Sequence, residues 1–446
     1  AFGYAGDPNV KTPNIDKFAS ESVNFTNAVS VCPVSTPHRA ALMTGRYPTS
    51  TGMFLNDLYL PDDELCMAEI FKAAGYNTAY IGKWHLDGHG RINNVEMERR
   101  QGFDYWKGLE CSHDYNKMPY YDNEDPEMHY WDGYSPYAIS EDANSYLEDN
   151  HNNDNPFLLF VSIATPHNPH FSAPEDMKAM YPVDELELKP NVPTSQENRA
   201  RKELQGYYGH CTASDKAIGT ILDQLKELGL MENTIVVFSS DHGEMMGSHD
   251  VNPFAKQVSW DESIRVPFLI SYPGIDDNKG TVVNAPINTP DILPTLLGLA
   301  DVSIPKTIEG EDISKLVTNP NAKADRVSLV MNPAPFGGDA TNVEYRAIRT
   351  KQYTYERTLD GPRRLFDNIA DPYQLTNLVD DPAYSSVLKD LDKKLNKELK
   401  RIDDPFESRK YYLDRWGYTV NANNAIQYFQ STNENNLRIQ TPTLQE

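Results

Sequence analysis

The 446-residue chain carries 41 Lys and Arg residues against 65 Asp and Glu residues, which gives a formal net charge of −24. This excess of acid and the lack of a Lys- or Arg-rich block exclude a nucleic-acid partner, and no apolar run is long enough to span a bilayer. The four cysteines form no CxxC pair, so we expect buried thiols and no zinc site. An anionic substrate would need a local cluster of cations.

Residues 35–46, STPHRAALMTGR, predict a helix that begins at Ser35. Pro37 suits a first helical turn because its φ is fixed, and the Ala-Ala-Leu-Met run favours continuation. Backbone N–H groups make a helix N-terminus an anion site, and Arg39 falls one turn on, on the face of Ser35. The pattern predicts a reactive oxygen beside a cation, with a simple N-cap serine as the alternative.

This stretch resembles the sulfatase motif, in which Cys or Ser, any residue, Pro, any residue, Arg and four further residues precede Thr-Gly-Arg. The resemblance implies that a maturation enzyme oxidises Ser35 to formylglycine, whose hydrated aldehyde supplies the nucleophile. Cys32 is out of register with the motif. Ser35 either suits a bacterial radical-type maturation system or replaces a Cys, and both remain open.

The resemblance covers nearly the whole chain and implies an α/β fold in two domains. Residues 1–325 would form an alkaline-phosphatase-like catalytic domain with a mostly parallel central sheet flanked by helices. Residues 326–446 would form a smaller domain with an antiparallel sheet and a helix. Residues 1–16 resemble the loop after the family's first strand, so we expect that strand, its acidic calcium ligands and any signal peptide upstream. A periplasmic or secreted location is the matching expectation.

Residues 62–74 predict an amphipathic helix, and residues 78–82, TAYIG, predict a buried strand. Lys83 and His85 follow at the strand end, where open α/β sheets place ligand-binding groups, and alternation points both side chains the same way. The resemblance implies that Lys83 binds sulfate and that His85 contacts the formylglycine. A strand-end lysine beside a core histidine is the alternative.

Residues 102–137 are rich in Tyr, Trp, His and Asp, a composition that suits a carbohydrate-binding wall. His113 and Asp114 are the candidates for substrate contact in this region. A surface loop packed by tyrosines is an equally good interpretation.

Residues 156–163, PFLLFVSI, predict a fully buried central strand. His167 follows in a loop stiffened by two prolines and matches a family histidine near the sulfate, whereas His170 has no such match. A long helix is predicted over residues 199–229, and residues 234–238, TIVVF, predict another buried strand.

Asp241 and His242 follow that strand. The resemblance implies one calcium ion, with Asp241 and the residue at position 35 as ligands and His242 as a neighbouring ligand where many relatives carry Asn. Because calcium prefers oxygen ligands, the histidine could lie beside the metal instead. His249 continues the family-like element and is a further candidate for orienting the site or contacting the substrate. Lys256 occupies the position of the second sulfate-binding lysine.

The C-terminal part predicts a hairpin at residues 345–349 and 353–357, an edge strand at 365–367 and a helix at 387–401. Before it, residues 288–296 predict the start of a helix, and residues 318–325 suit a linker between the two domains.

The resemblance as a whole implies hydrolysis of a sulfate ester, and the aromatic region favours a sulfated saccharide as substrate. Cations and calcium would spread positive charge over the sulfate, and Asp241 would aid the attack of one formylglycine hydroxyl on sulfur. His167, with Lys256, would protonate the leaving oxygen, and His85 would deprotonate the second hydroxyl. The implied catalytic residues are Ser35, Arg39, Lys83, His85, His167 and Lys256. A phosphonate or phosphate ester hydrolase and a non-catalytic binder of sulfated glycans are the alternatives.

Overall fold

The computed structural model describes residues 1–337, 343–427 and 440–445. Its strands are β1 (Val23–Phe25), β2 (Ala28–Val29), β3 (Asn77–Lys83), β4 (Tyr105–Leu109), β5 (Pro119–Asp122), β6 (His129–Tyr130), β7 (Phe157–Ser162), β8 (Val236–Ser239), β9 (Phe268–Ser271), β10 (Val282–Val283), β11 (Ile287–Asn288), β12 (Ser328–Asn332), β13 (Tyr345–Arg349), β14 (Tyr353–Thr358) and β15 (Gly361–Asp367). Its α-helices are α1 (Pro13–Ser20), α2 (Ser35–Thr44), α3 (Pro48–Thr51), α4 (Met67–Ala73), α5 (Ser135–Asn150), α6 (Glu175–Lys178), α7 (Glu197–Glu227), α8 (Asp261–Ile264), α9 (Thr289–Leu299), α10 (Ser314–Thr318), α11 (Ser385–Arg401) and α12 (Arg409–Trp416).

Helices surround several sheets, which confirms the predicted α/β class. One sheet has the order β6-β5-β4-β3-β7, with β3 parallel to β4 and β7 and the outer strands antiparallel. A second sheet has the order β10-β1-β9-β8, and β2 pairs in parallel with β11. Helix α5 packs on α7, and α2 packs on α9. Among the described helices, none combines the length and the hydrophobicity needed to cross a membrane.

The predicted strand at residues 78–82 is confirmed as β3, which carries Lys83 as its last residue. Gly82 has a φ of 110°, and a Cβ at this position would lie 2.1 Å from the backbone oxygen of Ser162. Only glycine accepts both this conformation and this close approach. Gly82 therefore lets the carboxyl ends of β3 and β7 meet, next to Lys83 and Ser162.

The prediction that residues 156–163 form a fully buried central strand is wrong about burial. In the described part of the chain, β7 is an edge strand that pairs only with β3, and all its residues except Ser162 are half-buried. Strand β8, predicted from residues 234–238, is also a half-buried edge strand. Both strands line a cavity of about 1880 Å³. Among the described residues, the outer edges of β7 and β8 have no partner strand, which accounts for the half-burial of both.

Two helix predictions need adjustment of their ends. The helix predicted over residues 62–74 is the shorter α4, because a turn precedes it and Cys66 caps it together with Glu69. The long helix predicted over 199–229 is confirmed as α7, which begins at Glu197 and ends before Gly229, whose φ is 67°. The helix predicted from residue 288 is α9, capped by Asn288.

All four cysteines are buried free thiols, as expected.

The C-terminal antiparallel sheet has the order β12-β13-β14-β15, which confirms the predicted hairpin and the edge strand, and α11 packs against it. Its apolar cluster also takes in residues around the start of α2, namely Val31, Cys32, Val34 and Ala41. The sheet therefore packs against the segment that carries Ser35. The domain boundary after residue 325 stays our proposal, and residues 338–342, 428–439 and 446 of the C-terminal domain lie outside the described residues.

Candidate active site

Helix α2 begins at Ser35, as the sequence predicts, and ends before Gly45. The Ser35 side chain is buried, and its Oγ lies 3.4 Å from Asp241 Oδ2 and 3.4 Å from Lys83 Nζ. His242 Nε2 lies 3.5 Å from the same oxygen. Two distant segments thus bring a carboxylate, an ammonium and an imidazole around the predicted reactive oxygen.

Arg39 lies one turn further along α2 and joins β3 to β7. Its NH1 donates to the backbone oxygen of Lys83 and to Ser162 Oγ, both at 2.9 Å. Its NH2 lies 3.5 Å from Asp241 Oδ2, and its Nε is buried without a partner among the described residues. The sequence analysis missed Ser162, although its place at the carboxyl end of β7 is the signal that identifies it.

Lys83 and Lys256 add two more cations. Lys256 Nζ lies 3.1 Å from His167 Nε2 and 3.3 Å from His242 Nε2. Within residues 1–337, 343–427 and 440–445, neither lysine has a carboxylate within 4.0 Å. Burial lowers the pKa of Lys256 to about 8, because desolvation disfavours the ammonium form. The site therefore carries more positive charge than its single close carboxylate can balance.

The hydrogen bonds of His167 show that Lys256 is the donor in the contact between these two side chains. Its Nδ1 donates to the backbone oxygen of Asn168 at 2.8 Å, so its Nε2 accepts from Lys256. The His113 ring stacks on the His167 ring with 4.6 Å between the centroids and 5° between the planes. Burial lowers the pKa of His113 to about 3 and that of His167 well below its usual value. Both rings are therefore neutral.

The other two candidates for substrate contact lie in different surroundings. Asp114 is exposed, and its Oδ1 accepts from the backbone N–H of Lys117 at 3.1 Å, within a local turn. The His249 ring stacks on Trp260 with 4.5 Å between the centroids. His249 also contacts Asn191 and Glu262, and none of these contacts involves Ser35. A role of either side chain in substrate binding stays a prediction without a supporting contact.

His85 contacts Asp57, which in turn contacts Arg91, and the sequence analysis singled out neither of these two residues. Its Nε2 lies 3.0 Å from Asp57 Oδ1, and Arg91 donates to both oxygens of Asp57 at 2.8 Å. Burial lowers the pKa of His85 to about 3. Burial alone would raise the pKa of Asp57, but the hydrogen bonds and charges of His85 and Arg91 hold it below its usual range. Asp57 lies 28 residues before His85 in the chain, and no local pattern links them.

Comparison with known proteins identifies the family of this chain. Residues 1–302 match the family model for sulfatases, and residues 247–401 match the model for the C-terminal part of N-sulphoglucosamine sulphohydrolase. The chain belongs to the sulfatase family. Its enzyme class is therefore that of the sulfuric ester hydrolases, which sets aside the alternatives of a phosphonate hydrolase and a non-catalytic glycan binder.

Three relatives illustrate how far the similarity extends. An ulvan-active sulfatase from Formosa agariphila is 65% identical over 97% of this sulfatase and 85% of its own length. An endo-4-O-sulfatase from Bacteroides thetaiotaomicron is 33% identical over 93% of this chain and 90% of its own. The solved structure of the yidJ protein from Bacteroides fragilis, 31% identical, superposes with a TM-score of 0.81 over 92% of this chain and 94% of its own.

The predicted calcium ligands of this sulfatase form an incomplete set. His242 Nδ1 donates to the backbone oxygen of Gly243 at 2.9 Å, so the lone pair of Nε2 faces Ser35. Among the described residues, no group of three or more His, Cys, Asp or Glu side chains could hold a metal ion. Calcium takes about six to eight oxygen ligands, whereas Asp241 and Ser35 together offer three. These side chains alone do not fit a calcium ion, and no step below depends on one.

Proposed function

We propose that this sulfatase hydrolyses sulfate esters of a saccharide through formylglycine formed at position 35. The observation that carries the proposal is the burial of Ser35 Oγ between Lys83, Asp241 and His242, each within 3.5 Å. A hydrated aldehyde would find a donor and two acceptors at this position, so the surroundings fit the modification. The similarity to an ulvan-active sulfatase supports a sulfated polysaccharide, or fragments of one, as the substrate class.

Three cations can bind the sulfate group. Arg39 is fixed by β3 and β7, Lys83 lies 3.4 Å from Ser35 Oγ, and Lys256 is joined to His167 and His242. The molecule as a whole has a formal charge of −24, which repels an anionic substrate. These cations provide local positive charge that attracts the sulfate group. Preorganised donors around the sulfate oxygens stabilise the negative charge that accumulates as the nucleophile approaches.

The residues around position 35 can manage its protons. Formylglycine supplies the hydrated aldehyde whose hydroxyl attacks sulfur. Asp241 Oδ2, 3.4 Å from the oxygen at position 35, can accept the proton of that hydroxyl. His85 is neutral at working pH, because burial lowers its pKa to about 3, and it can accept a second proton at Nδ1.

The leaving sugar oxygen needs a proton, and Lys256 is the group that carries one. His167 accepts at Nε2 and donates at Nδ1 to the backbone, so it orients the ammonium of Lys256 rather than supplying a proton of its own. This refines the sequence prediction, in which His167 was the acid assisted by Lys256. Protonation of the leaving oxygen by such a positioned group typically contributes about 10²-fold to 10⁴-fold in rate.

Two parts of the proposal concern the cell. Formylglycine at position 35 requires a maturation enzyme that accepts Ser, or one that accepts Cys if Ser35 replaces it. A polymeric substrate would be reached most directly from a periplasmic or secreted location.

The deciding experiment is peptide mass spectrometry across position 35 after coexpression with a Ser-type maturation enzyme. The matured protein is then assayed for sulfate release from ulvan oligosaccharides, with desulfated ulvan as the blank, and in parallel for phosphate release from phosphorylated saccharides. We expect loss of two hydrogens at position 35, and sulfate release that depends on this loss.

Ser35→Ala is the matched control, because it keeps the fold of α2 and removes the oxygen that is modified. A modified protein that releases no sulfate from any sulfated saccharide would contradict the substrate class. Equal release by the Ser35→Ala variant would contradict the role of position 35.

A further inference from the structure

Asp57 and His85 form a buried pair beside the cations of the site. We propose that Asp57 is a positioning residue, which holds His85 in the tautomer that has its proton on Nε2 and leaves Nδ1 free to accept a proton. The catalytic part of this inference rests on the proposed function, whereas the tautomer itself can be tested without turnover.

The carboxylate of Asp57 is held from two sides. Arg91 Nε and NH2 donate to its two oxygens at 2.8 Å each, and the guanidinium keeps it ionised. An ionised carboxylate only accepts hydrogen bonds, so His85 Nε2, 3.0 Å from Asp57 Oδ1, must carry the ring proton. His85 Nδ1 is then unprotonated, and it is buried without a partner among the described residues. An orphaned buried acceptor of this kind calls for a functional explanation.

The side chain of Thr36 ties this pair to the nucleophile position. Its hydroxyl donates to the backbone oxygen of His85 at 2.9 Å and accepts from the backbone N–H of Asp57 at 3.3 Å. Thr36 directly follows Ser35 in α2. One hydroxyl therefore fixes the backbones of both residues relative to the reactive oxygen.

The backbone conformations of the pair support a functional origin. Asp57 has a φ of 65° and His85 has a φ of 60°, in the left-handed region that is uncommon for residues other than glycine, although Asp and His adopt it more often than most. Such conformations persist where surrounding contacts enforce them, and they concentrate at functional sites. Here two of them face each other across a single hydrogen bond.

A second buried aspartate provides a matched control. Asp87 pairs with Arg99 at 2.7 Å and with His89 at 3.3 Å, so it has the same two kinds of partner as Asp57. His89, however, is partly exposed, and its Nδ1 is engaged by Asp87. Asp87→Asn removes a comparable buried charge without changing the hydrogen bond to His85.

The first test measures ring nitrogen shifts by NMR in protein labelled with ¹⁵N-histidine, with His85 assigned from the spectrum of His85→Gln. In the unmutated protein we expect a proton on Nε2 and a bare Nδ1. In Asp57→Asn, whose amide can also donate, we expect the Nδ1-protonated form to become populated. Asp87→Asn should leave the His85 signals unchanged. A proton on Nδ1 in the unmutated protein would overturn the proposal, and this outcome is read from the spectrum of the unmutated protein.

The second test compares kinetics of the matured proteins. We expect Asp57→Asn to lower kcat about 10-fold to 100-fold, by analogy with the loss on removing a carboxylate that orients a metal-bound histidine. KM should change little, because the three sulfate-binding cations are untouched. If Asp57→Asn keeps the kcat of Asp87→Asn, the positioning role is wrong. If the unmutated, modified protein releases no sulfate, the proposed function fails instead, and the tautomer still decides whether Asp57 orients His85.

Discussion

Two buried charge clusters in this sulfatase are built in opposite ways. In the C-terminal cluster, Arg346 and Asp404 have fully buried side chains and meet through two hydrogen bonds, at 2.6 Å and 3.2 Å. Tyr412 also accepts from Arg346, at 2.9 Å, and donates to Asp404. In the active-site cluster, Arg39 reaches Asp241 only at 3.5 Å, and the two lysines have no carboxylate within 4.0 Å in the described part of the chain.

The difference distinguishes buried charges that stabilise the fold from buried charges that are available to bind a ligand. A buried ion costs free energy unless a partner compensates it, and the C-terminal cluster contains that partner. The active-site cluster lacks one for its surplus positive charge, and a bound sulfate would supply it. Removing a cation should therefore cost stability in the C-terminal cluster and activity in the active site.

The largest expected effect on stability is that of Arg346→Ala. It leaves the Asp404 carboxylate buried and unpaired, which typically costs about 3–5 kcal/mol. Urea unfolding followed by circular dichroism measures the loss. Lys410→Ala, which breaks an exposed pair with Asp414 within α12, should cost less than about 1 kcal/mol. Equal losses in the two variants would show that the C-terminal pair does not stabilise the fold.

Arg39→Ala tests the other half of the comparison. Turnover should fall by about 10³-fold or more, because a fixed donor to the sulfate is lost. The fold should persist, since Lys83 and His242 remain near Asp241. Sulfate release and urea unfolding are measured on the same preparation. Preserved turnover would remove Arg39 from the mechanism, and a loss of stability as large as that of Arg346→Ala would make it a structural residue.

Lys256→Met asks whether this lysine acts as the acid or only as a cation. It keeps most of the side-chain volume but removes the donor to His167 Nε2. We expect a loss of about 10²-fold in kcat for a saccharide sulfate, whose leaving oxygen needs a proton. A nitrophenyl sulfate leaves without protonation, so its kcat should fall much less. An equal loss for both substrates would assign Lys256 to charge stabilisation alone.

The sequence could predict the elements of this site better than its contacts. The motif at residues 35–46 located α2, Ser35 and Arg39, because helix-start chemistry is local. The apolar runs located β7 and β8, but the position of a strand in a sheet depends on neighbours far away in the chain. Among the described residues both are half-buried edge strands, whereas β7 was predicted as fully buried and central and β8 as buried. The contact of Asp57 with His85 depends on a left-handed backbone conformation at both residues, which no local sequence pattern predicted.

The smallest predicted effect concerns His170, whose imidazole lies between two carboxylates. Its Nδ1 lies 2.9 Å from Glu203 and its Nε2 lies 2.9 Å from Glu244, so an imidazolium is matched on both sides. Burial alone would lower the pKa of His170, but the hydrogen bonds and charges of Glu244 and Glu203 raise it above its usual value. A histidine whose pKa is raised by folding stabilises the folded state fully below its unfolded pKa of about 6.5, and this contribution is lost as pH rises through the folded pKa.

The free energy of unfolding of the unmutated protein should therefore exceed that of His170→Gln by the largest amount near pH 6. This difference should be on the order of 1–2 kcal/mol, since hydrogen bonds to charged groups contribute about this much. The difference should shrink as the pH rises above the folded pKa. Glu203→Gln leaves Glu244 as the only charged partner, and it should weaken the pH dependence without abolishing it. A difference that grows with pH would mean that His170 is neutral between its two carboxylates. Uncompensated buried charge would then occur at this pair of carboxylates as well as at the cations of the active site.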